Sequence, residues 1–184
     1  MGLLVSKYQQ PHLGRAIWQM INTLGSVFAI WVLLFHTWHL SWWLTIGLSA
    51  LAGLFLIRAF IIFHDCGHGS FFKSKKANNV LGFITGILTF TPYHHWKWEH
   101  AMHHATNGDL DRRGIGDIWT LTVREYLTSS RMTRFNYRIV RNPFILFVFA
   151  PLFLFFVLER FPSKKCKPRE RRSVYVMNLS LLLW

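Results

Sequence analysis

Two short histidine clusters are the part of this sequence best suited to chemistry. The first cluster (residues 64–68, HDCGH) holds His64 and His68, and the second cluster (residues 100–104, HAMHH) holds His100, His103 and His104. Neutral imidazole is the side chain that most often binds metals in proteins. Residues three or four apart share one face of a helix, so each cluster can direct its ring nitrogens toward one point. The sequence therefore predicts a metal site built from both clusters.

A long uncharged region precedes the first cluster. Residues 16–57 contain no Asp, Glu, Lys or Arg, and one bilayer crossing needs about 20 mostly apolar residues. Polar residues at 36–41 interrupt the region near its middle. We therefore predict a transmembrane hairpin over 16–63, with spans near 16–35 and 42–63. The first cluster then follows on a helical extension of the second span.

Two later segments are apolar but ambiguous. Residues 143–158 are uncharged, and at about 1.5 Å per residue they reach roughly 24 Å, less than the ~30 Å hydrocarbon core. Basic residues flank this segment on both sides, which favours a re-entrant or interfacial helix over a crossing, and a crossing stays open as the alternative. Residues 173–184 resemble the start of a further span that is cut short. We therefore expect the chain to be a fragment.

The charge is strongly positive and unevenly distributed. The chain has 21 Lys and Arg against 8 Asp and Glu, and residues 160–172 carry seven basic side chains and one acidic one. Basic charge beside apolar spans is typical of the cytoplasmic side and of contact with an anionic membrane surface, and it argues against nucleic-acid binding. The expected fold is all-α: a multi-pass integral membrane helical protein, with both clusters in a cytoplasmic helical region over 64–142.

The chemistry of the first cluster alone allows a second interpretation. HDCGH is similar to the HExxH motif of zinc peptidases, with Asp65 in the place of the Glu. Catalytic zinc needs about three protein ligands and one open position, whereas the two clusters together offer five histidines. Five imidazoles suit a larger site, and two irons are the natural choice for oxidative work on a lipid. A non-catalytic membrane protein with vestigial clusters is the third hypothesis.

The two clusters and their surroundings resemble a known family. HDCGHGSFF and PYHHWKWEHAMHHATNGDLDRRGIGDIWT are similar to the first two histidine boxes of the membrane fatty acid desaturases, and above all to the bacterial acyl-lipid type related to plant oleate desaturases. The likeness includes the spacing of the boxes and the preceding hairpin. A third box, HxxHH, has no counterpart after His104. The resemblance thus implies one incomplete desaturase domain over 1–184, inactive by itself.

The resemblance also implies a reaction and a set of partners. Two iron ions, with O2 as co-substrate, would introduce a cis double bond into a lipid acyl chain. The substrate would be a membrane lipid or an acyl carrier, and ferredoxin or a cytochrome b5-type protein would supply electrons. The location would be the bacterial cytoplasmic membrane, with the boxes facing the cytoplasm. A related di-iron lipid hydroxylase is the alternative. The implied iron ligands are His64, His68, His100, His103 and His104.

Several neighbouring residues are expected to support the ligands. Asp65, Asp109 and Asp111 could each hold the far ring nitrogen of a ligand histidine, which is a common role for carboxylates near metals, and Asp65 is the strongest of these candidates. His94 and His95, just before the second cluster, are expected to be interfacial or supporting residues and are left out of the ligand set.

Overall fold

The computed structural model describes residues 10–113 and 117–183. Every regular element in these two ranges is a helix, so the all-α prediction is confirmed. The chain divides into two compact units, Met1–Tyr93 and His94–Trp184, and each is described by itself.

The first unit is built on two long helices, α1 (Leu13–Thr37) and α2 (Trp42–His68), which pack on each other. Both are long and apolar enough to cross a membrane. The turn between them falls at 38–41, within the polar stretch that interrupts the uncharged region. The predicted transmembrane hairpin is therefore confirmed as a pair of candidate spans, with α2 longer than the span proposed from the sequence.

The first cluster forms the last turns of α2. The helix ends at Gly69, whose φ of 72° is a left-handed conformation that costs glycine little because it has no Cβ. The Gly69 N–H reaches the carbonyl oxygens of Asp65 and Cys66, which satisfies acceptors that the helix end would otherwise leave open. The helical extension predicted for the second span is thus observed, without a break between span and cluster.

A third helix, α3 (Lys75–Leu88), packs against α2. The buried side chain of Asn78 holds the connection before it, accepting from the Phe72 N–H at 2.9 Å and donating to the Phe72 carbonyl at 2.7 Å. The ring of Tyr93 lies directly over Gly82, where a Cβ would overlap the ring. The Tyr93 hydroxyl donates to the Cys66 carbonyl oxygen at 2.7 Å, so a residue 27 positions away fixes the end of α2.

The second unit consists of shorter helices. α4 (Tyr93–Thr106) carries the second cluster and is followed, after a loop, by α5 (Val123–Thr128) and α6 (Arg131–Val140). The apolar segment then forms a π-helix (Ile145–Phe149), α7 (Ala150–Phe156) and a 3-10 turn (Leu158–Arg160), and the last helix is α8 (Pro168–Leu182).

The two ambiguous segments take distinct forms. The chain bends by 59° between α6 and the helices of Ile145–Arg160, and this stretch is long enough to cross a membrane only when it is joined to α6. Such a bent pair is a broken span or a re-entrant loop, so the predicted re-entrant or interfacial position of 143–158 stays a prediction. α8 begins at Pro168, ahead of the apolar stretch at 173, and so includes several basic residues.

Candidate metal centre

The two histidines of the first cluster face each other one helical turn apart. His64 Nε2 and His68 Nε2 are separated by 3.3 Å, as the spacing of four residues in a helix allows. The other ring nitrogen of His64, Nδ1, lies 3.4 Å from the Asp65 carboxylate. Nδ1 therefore points to an acceptor, and the Nε2 lone pair is left to face His68.

The second cluster repeats this arrangement on α4. His100 Nε2 and His104 Nε2 lie 3.0 Å apart. The ring of His100 stacks on Trp96 with 4.3 Å between ring centroids and 16° between planes. This contact restricts rotation of the imidazole, so that α4 presents two adjacent Nε2 atoms with one ring held by an aromatic neighbour.

The separation within each pair fits metal binding. Two imidazole nitrogens bound at about 2.1 Å to one ion lie about 3.0 to 3.4 Å apart when the angle at the ion is between a right angle and tetrahedral. The observed distances of 3.3 Å and 3.0 Å match this range. A metal ion between the two nitrogens of a pair would bind the lone pair of each. Each pair thus offers ring nitrogens suited to a metal ion.

His103 is oriented by a carboxylate that the sequence analysis did not single out. Its Nδ1 lies 2.8 Å from Asp117 Oδ1, and because an ionised carboxylate only accepts, Nδ1 is the donor. The Nε2 lone pair of His103 is thereby left for a ligand, as in the carboxylate–histidine–metal arrangement. The structure thus adds Asp117 to the residues that support the second cluster.

The loop that carries Asp117 is braced by two arginines. Arg113 binds Glu125 at 2.6 Å and the Thr120 carbonyl oxygen, and Arg141 donates to Thr120 Oγ1 at 2.6 Å. The Arg113 guanidinium, together with the N–H and hydroxyl of Thr122, lowers the pKa of Glu125 to about 2. Glu125 therefore stays ionised throughout the neutral range, and the brace holds the loop on which the His103 contact depends.

The carboxylates proposed from the sequence behave differently. The Asp65 carboxylate lies 3.4 Å from His64 Nδ1, which is long for a hydrogen bond. Asp109 instead binds the guanidinium of Arg112 at 2.6 Å and caps the N–H of Asp111 at 3.0 Å, which lowers the pKa of its carboxyl. Asp111 is exposed. Of the supporting acids, Asp117 thus makes the shorter histidine contact.

Removing the Asp117 carboxylate should weaken metal binding. Outer partners of ligand histidines typically change metal affinity by roughly 10- to 100-fold, so we expect the metal affinity of Asp117→Ala to fall by this factor. Asp117→Asn keeps an acceptor for Nδ1 and should lose less. Iron titration of the purified protein against a competing chelator measures both. The matched control is Asp111→Ala on the same loop, and an equal loss there would show that the loop is merely destabilised.

His94 and His95 connect α4 to the end of the second unit. The His94 N–H donates to Ser173 Oγ at 3.1 Å, and His95 Nε2 accepts from the Ser163 N–H at 3.0 Å. Burial lowers the pKa of both imidazoles; Arg169 and Lys97 add to the effect on His94, and Glu170 opposes it on both. His95 is 3% exposed, and the expected interfacial or supporting role of the two histidines stays a prediction.

An open apolar cavity of about 1430 Å³ lies along the second unit, and several of its lining side chains are exposed. Its wall is mostly the segment that follows α6, with Ile118 and Trp119 from the loop beside Asp117. Polar groups appear at few places, namely at His95, Glu99, Asp117, Glu159 and Ser163. Mostly apolar cavities with a few polar groups are typical of sites for apolar ligands. This cavity is larger than the roughly 300–1,000 Å³ of drug-sized sites.

Comparison with known proteins identifies the family. The model for the fatty acid desaturase family matches residues 40–184. A fatty acid desaturase of Bacillus subtilis is 45% identical over 178 residues, which is 97% of this chain and 51% of the relative. The sn-1 oleoyl-lipid 12-desaturase of Synechocystis is 31% identical over 67% of this chain and 32% of its own length.

A plant relative, the endoplasmic reticulum omega-3 fatty acid desaturase of Nicotiana tabacum, is 32% identical over 77% of this chain and 38% of its own length. No solved structure matches the chain. The chain spans about half the length of the Bacillus relative and a smaller share of the others. The family match covers both histidine clusters and the helix that leads into the first of them. This chain belongs to the fatty acid desaturase family.

Proposed function

We propose that this chain is part of an oxygen-dependent acyl desaturase that introduces a cis double bond into a lipid acyl chain. In the balanced reaction, two adjacent methylene groups lose two hydrogens while O2, two electrons and two protons become two molecules of water. The observation that carries the proposal is the family match across both clusters, supported by Nε2 pairs spaced as metal ligands would be.

Five histidines would hold the metal centre. Each of them can direct Nε2 toward a cation, and Asp117 fixes the orientation of His103. The five are His64, His68, His100, His103 and His104. Two iron ions bound by these residues would supply the activation of dioxygen that no side chain can provide. Family membership favours this set over a zinc peptidase built on HDCGH, because a peptidase gives no role to the second cluster.

The cavity of the second unit would hold the acyl chain. Its wall of phenylalanine and aliphatic side chains offers a methylene chain the dispersion contacts and exclusion of water that an apolar substrate requires. Asp117 lines the cavity and also binds His103, so the wall includes a residue that orients a proposed ligand. The side chains of the cavity would thus align the substrate and exclude water from it. The bound metal would supply the oxidation.

The names of the relatives support a proposal for the partners and the location. One Synechocystis relative, at 31% identity over 60% of this chain, is named a ferredoxin-dependent sn-1 acyl-lipid omega-3 desaturase. We accordingly propose a membrane lipid or acyl carrier as the substrate and ferredoxin or a cytochrome b5-type protein as the electron donor. The proposed location is a bacterial cytoplasmic membrane, crossed by α1 and α2, with both clusters on the cytoplasmic side.

The lipids of expressing cells test this function. The chain is expressed alone and as a hybrid protein, in which the part of the Bacillus subtilis relative left uncovered by the alignment is added. We expect new cis-unsaturated acyl chains with the hybrid and none with the chain alone. The five histidines of the chain belong to the first two boxes, and the family's third box would come from the added part. Gas chromatography with mass spectrometry also separates a double bond from a hydroxyl group. An iron-free hybrid that leaves the lipids unchanged would refute the proposal.

Narrowing the cavity should change which chains are accepted. Ala150 lines it, and Ala150→Trp in the hybrid protein would fill part of the space. We expect products to shift to shorter acyl chains and the longest product to fall by about tenfold, the order of magnitude that one or two methylenes carry in an apolar pocket. Val148→Trp is the control, because Val148 lies on the same segment but outside the cavity wall. Equal effects of the two variants would contradict the assignment.

A further inference from the structure

Two buried polar atoms on residues that line the cavity have no hydrogen-bond partner among the described residues. They are His95 Nδ1 and Glu159 Oε2. The side chains of both residues line the cavity, and they are 3% and 5% exposed. A buried polar atom without a partner carries a large free-energy cost, and its presence beside a cavity indicates that a ligand or a water completes it.

The hydrogen-bonding role of His95 follows from geometry. Its Nε2 accepts from the Ser163 backbone N–H at 3.0 Å, so in the neutral ring the proton is on Nδ1. His95 Nδ1 is therefore a buried donor without an acceptor among the described residues, on a residue that lines the cavity. Nδ1 and Glu159 Oε2 are 3.9 Å apart, too far for a direct hydrogen bond. One oxygen atom between them, at about 2.8 Å from each, would satisfy both atoms.

We infer that the carbonyl oxygen of a neutral acyl head group, such as an ester or a thioester, binds between His95 and Glu159. His95 Nδ1 donates to the carbonyl oxygen, and the Glu159 carboxyl donates to the same oxygen when it carries a proton. This inference rests on the proposed function, since it takes the cavity to hold the acyl chain, and it adds the group by which the chain is anchored.

The anchor has a consequence for the position of the reaction. His95 precedes His100 by five residues of α4, which is about 7.5 Å along the helix axis. A head group held at His95 would therefore fix the acyl chain by its carbonyl end, and the double bond would form at a set distance from the carbonyl. A carboxylate costs far more to bury in an apolar cavity than a neutral ester, so a free fatty acid should bind less well than its ester.

Binding to the purified chain in detergent tests the anchor with four probes. Methyl palmitate and S-methyl thiopalmitate carry the neutral carbonyl, palmitate carries the charged head, and hexadecane carries none. We expect the ester and the thioester to bind about tenfold more tightly than hexadecane, the order of magnitude of one or two added hydrogen bonds. The carbonyl stretch of a ¹³C-labelled ester should move to lower frequency on binding.

Two substitutions of His95 separate anchoring from folding. His95→Asn retains a donor near Nδ1 and loses the contact with Ser163, whereas His95→Gln can retain the acceptor for Ser163 and loses the donor to the cavity. We expect the ester preference and the carbonyl shift to persist in His95→Asn and to vanish in His95→Gln. The opposite order would show that His95 only braces the fold, and it would overturn the inference.

Glu159 provides an independent test. Glu159→Gln keeps an N–H donor at the same place and should retain the ester preference, whereas Glu159→Leu should lose part of it. If the ester and hexadecane bind the normal chain equally, a buried water fills the gap and the anchor is wrong, while the acyl cavity stands. If none of the four probes binds, the acyl cavity of the proposed function fails as well.

Discussion

Alanine at His100 or His104 should abolish both iron binding and desaturation by the hybrid protein. The two Nε2 atoms lie 3.0 Å apart, so each is the neighbour of the other at the proposed ion, and one imidazole alone leaves an open coordination position. Loss of a ligand should exceed the roughly 10- to 100-fold effect of its outer partners. We therefore expect unsaturated product to fall by more than about a hundredfold and bound iron to fall with it.

The matched control is His39→Ala, in the turn between α1 and α2. It removes an imidazole without touching either cluster, and it should leave iron content and product unchanged. Lipid analysis and a colorimetric iron assay on the same preparations distinguish loss of metal from loss of protein. An His100→Ala protein that keeps its full iron content would refute the ligand assignment, even if its activity were low.

Alanine at Gly82 should prevent stable folding of the first unit. Its Cβ would overlap the ring of Tyr93, and this ring cannot easily move, because it is fully buried, packs edge-on against Phe63 at 5.6 Å and donates to the Cys66 carbonyl. Overpacking of this kind costs about 3 kcal/mol or more when no neighbour can shift. Thermal unfolding in detergent, followed by the loss of the main protein peak in size-exclusion chromatography, measures the effect.

Two further variants isolate the cause. Gly53→Ala lies within α2, and nothing lies within 4 Å of its added Cβ, so it should be neutral or slightly stabilising through helix propensity. Tyr93→Phe removes only the hydroxyl contact and should cost about 1 kcal/mol. Combining Gly82→Ala with Tyr93→Leu removes the overlapping ring, and we expect the double variant to be less destabilised than the sum of its parts. Simple additivity would contradict the overlap.

Local periodicity predicted those parts of the site that lie within one helix. The uncharged region gave the hairpin, and the spacing of four residues between His64 and His68, or between His100 and His104, placed their Nε2 atoms together. These predictions hold because helical geometry over a few turns depends little on the remainder of the chain.

Residues brought together by loops could not be found in this way. Asp117 reaches His103 across a loop whose path is set by Arg113, Glu125 and Arg141, so no period relates the two. Glu159 meets His95 across 64 residues. The sequence did contain one indication of Glu159. It is an acid at the boundary between an apolar segment and a basic one, and a carboxyl group that is buried there needs a hydrogen-bond or charge partner.

α2 runs as one continuous helix from its apolar stretch into the first cluster. The position of the cluster is therefore fixed relative to that stretch. Each residue added between them would turn His64 and His68 by about 100° around the axis and push them about 1.5 Å outward. An insertion of seven residues nearly restores their direction but displaces them by about 10.5 Å. The distance of these imidazoles from the apolar stretch of α2 is therefore set by the number of residues between them.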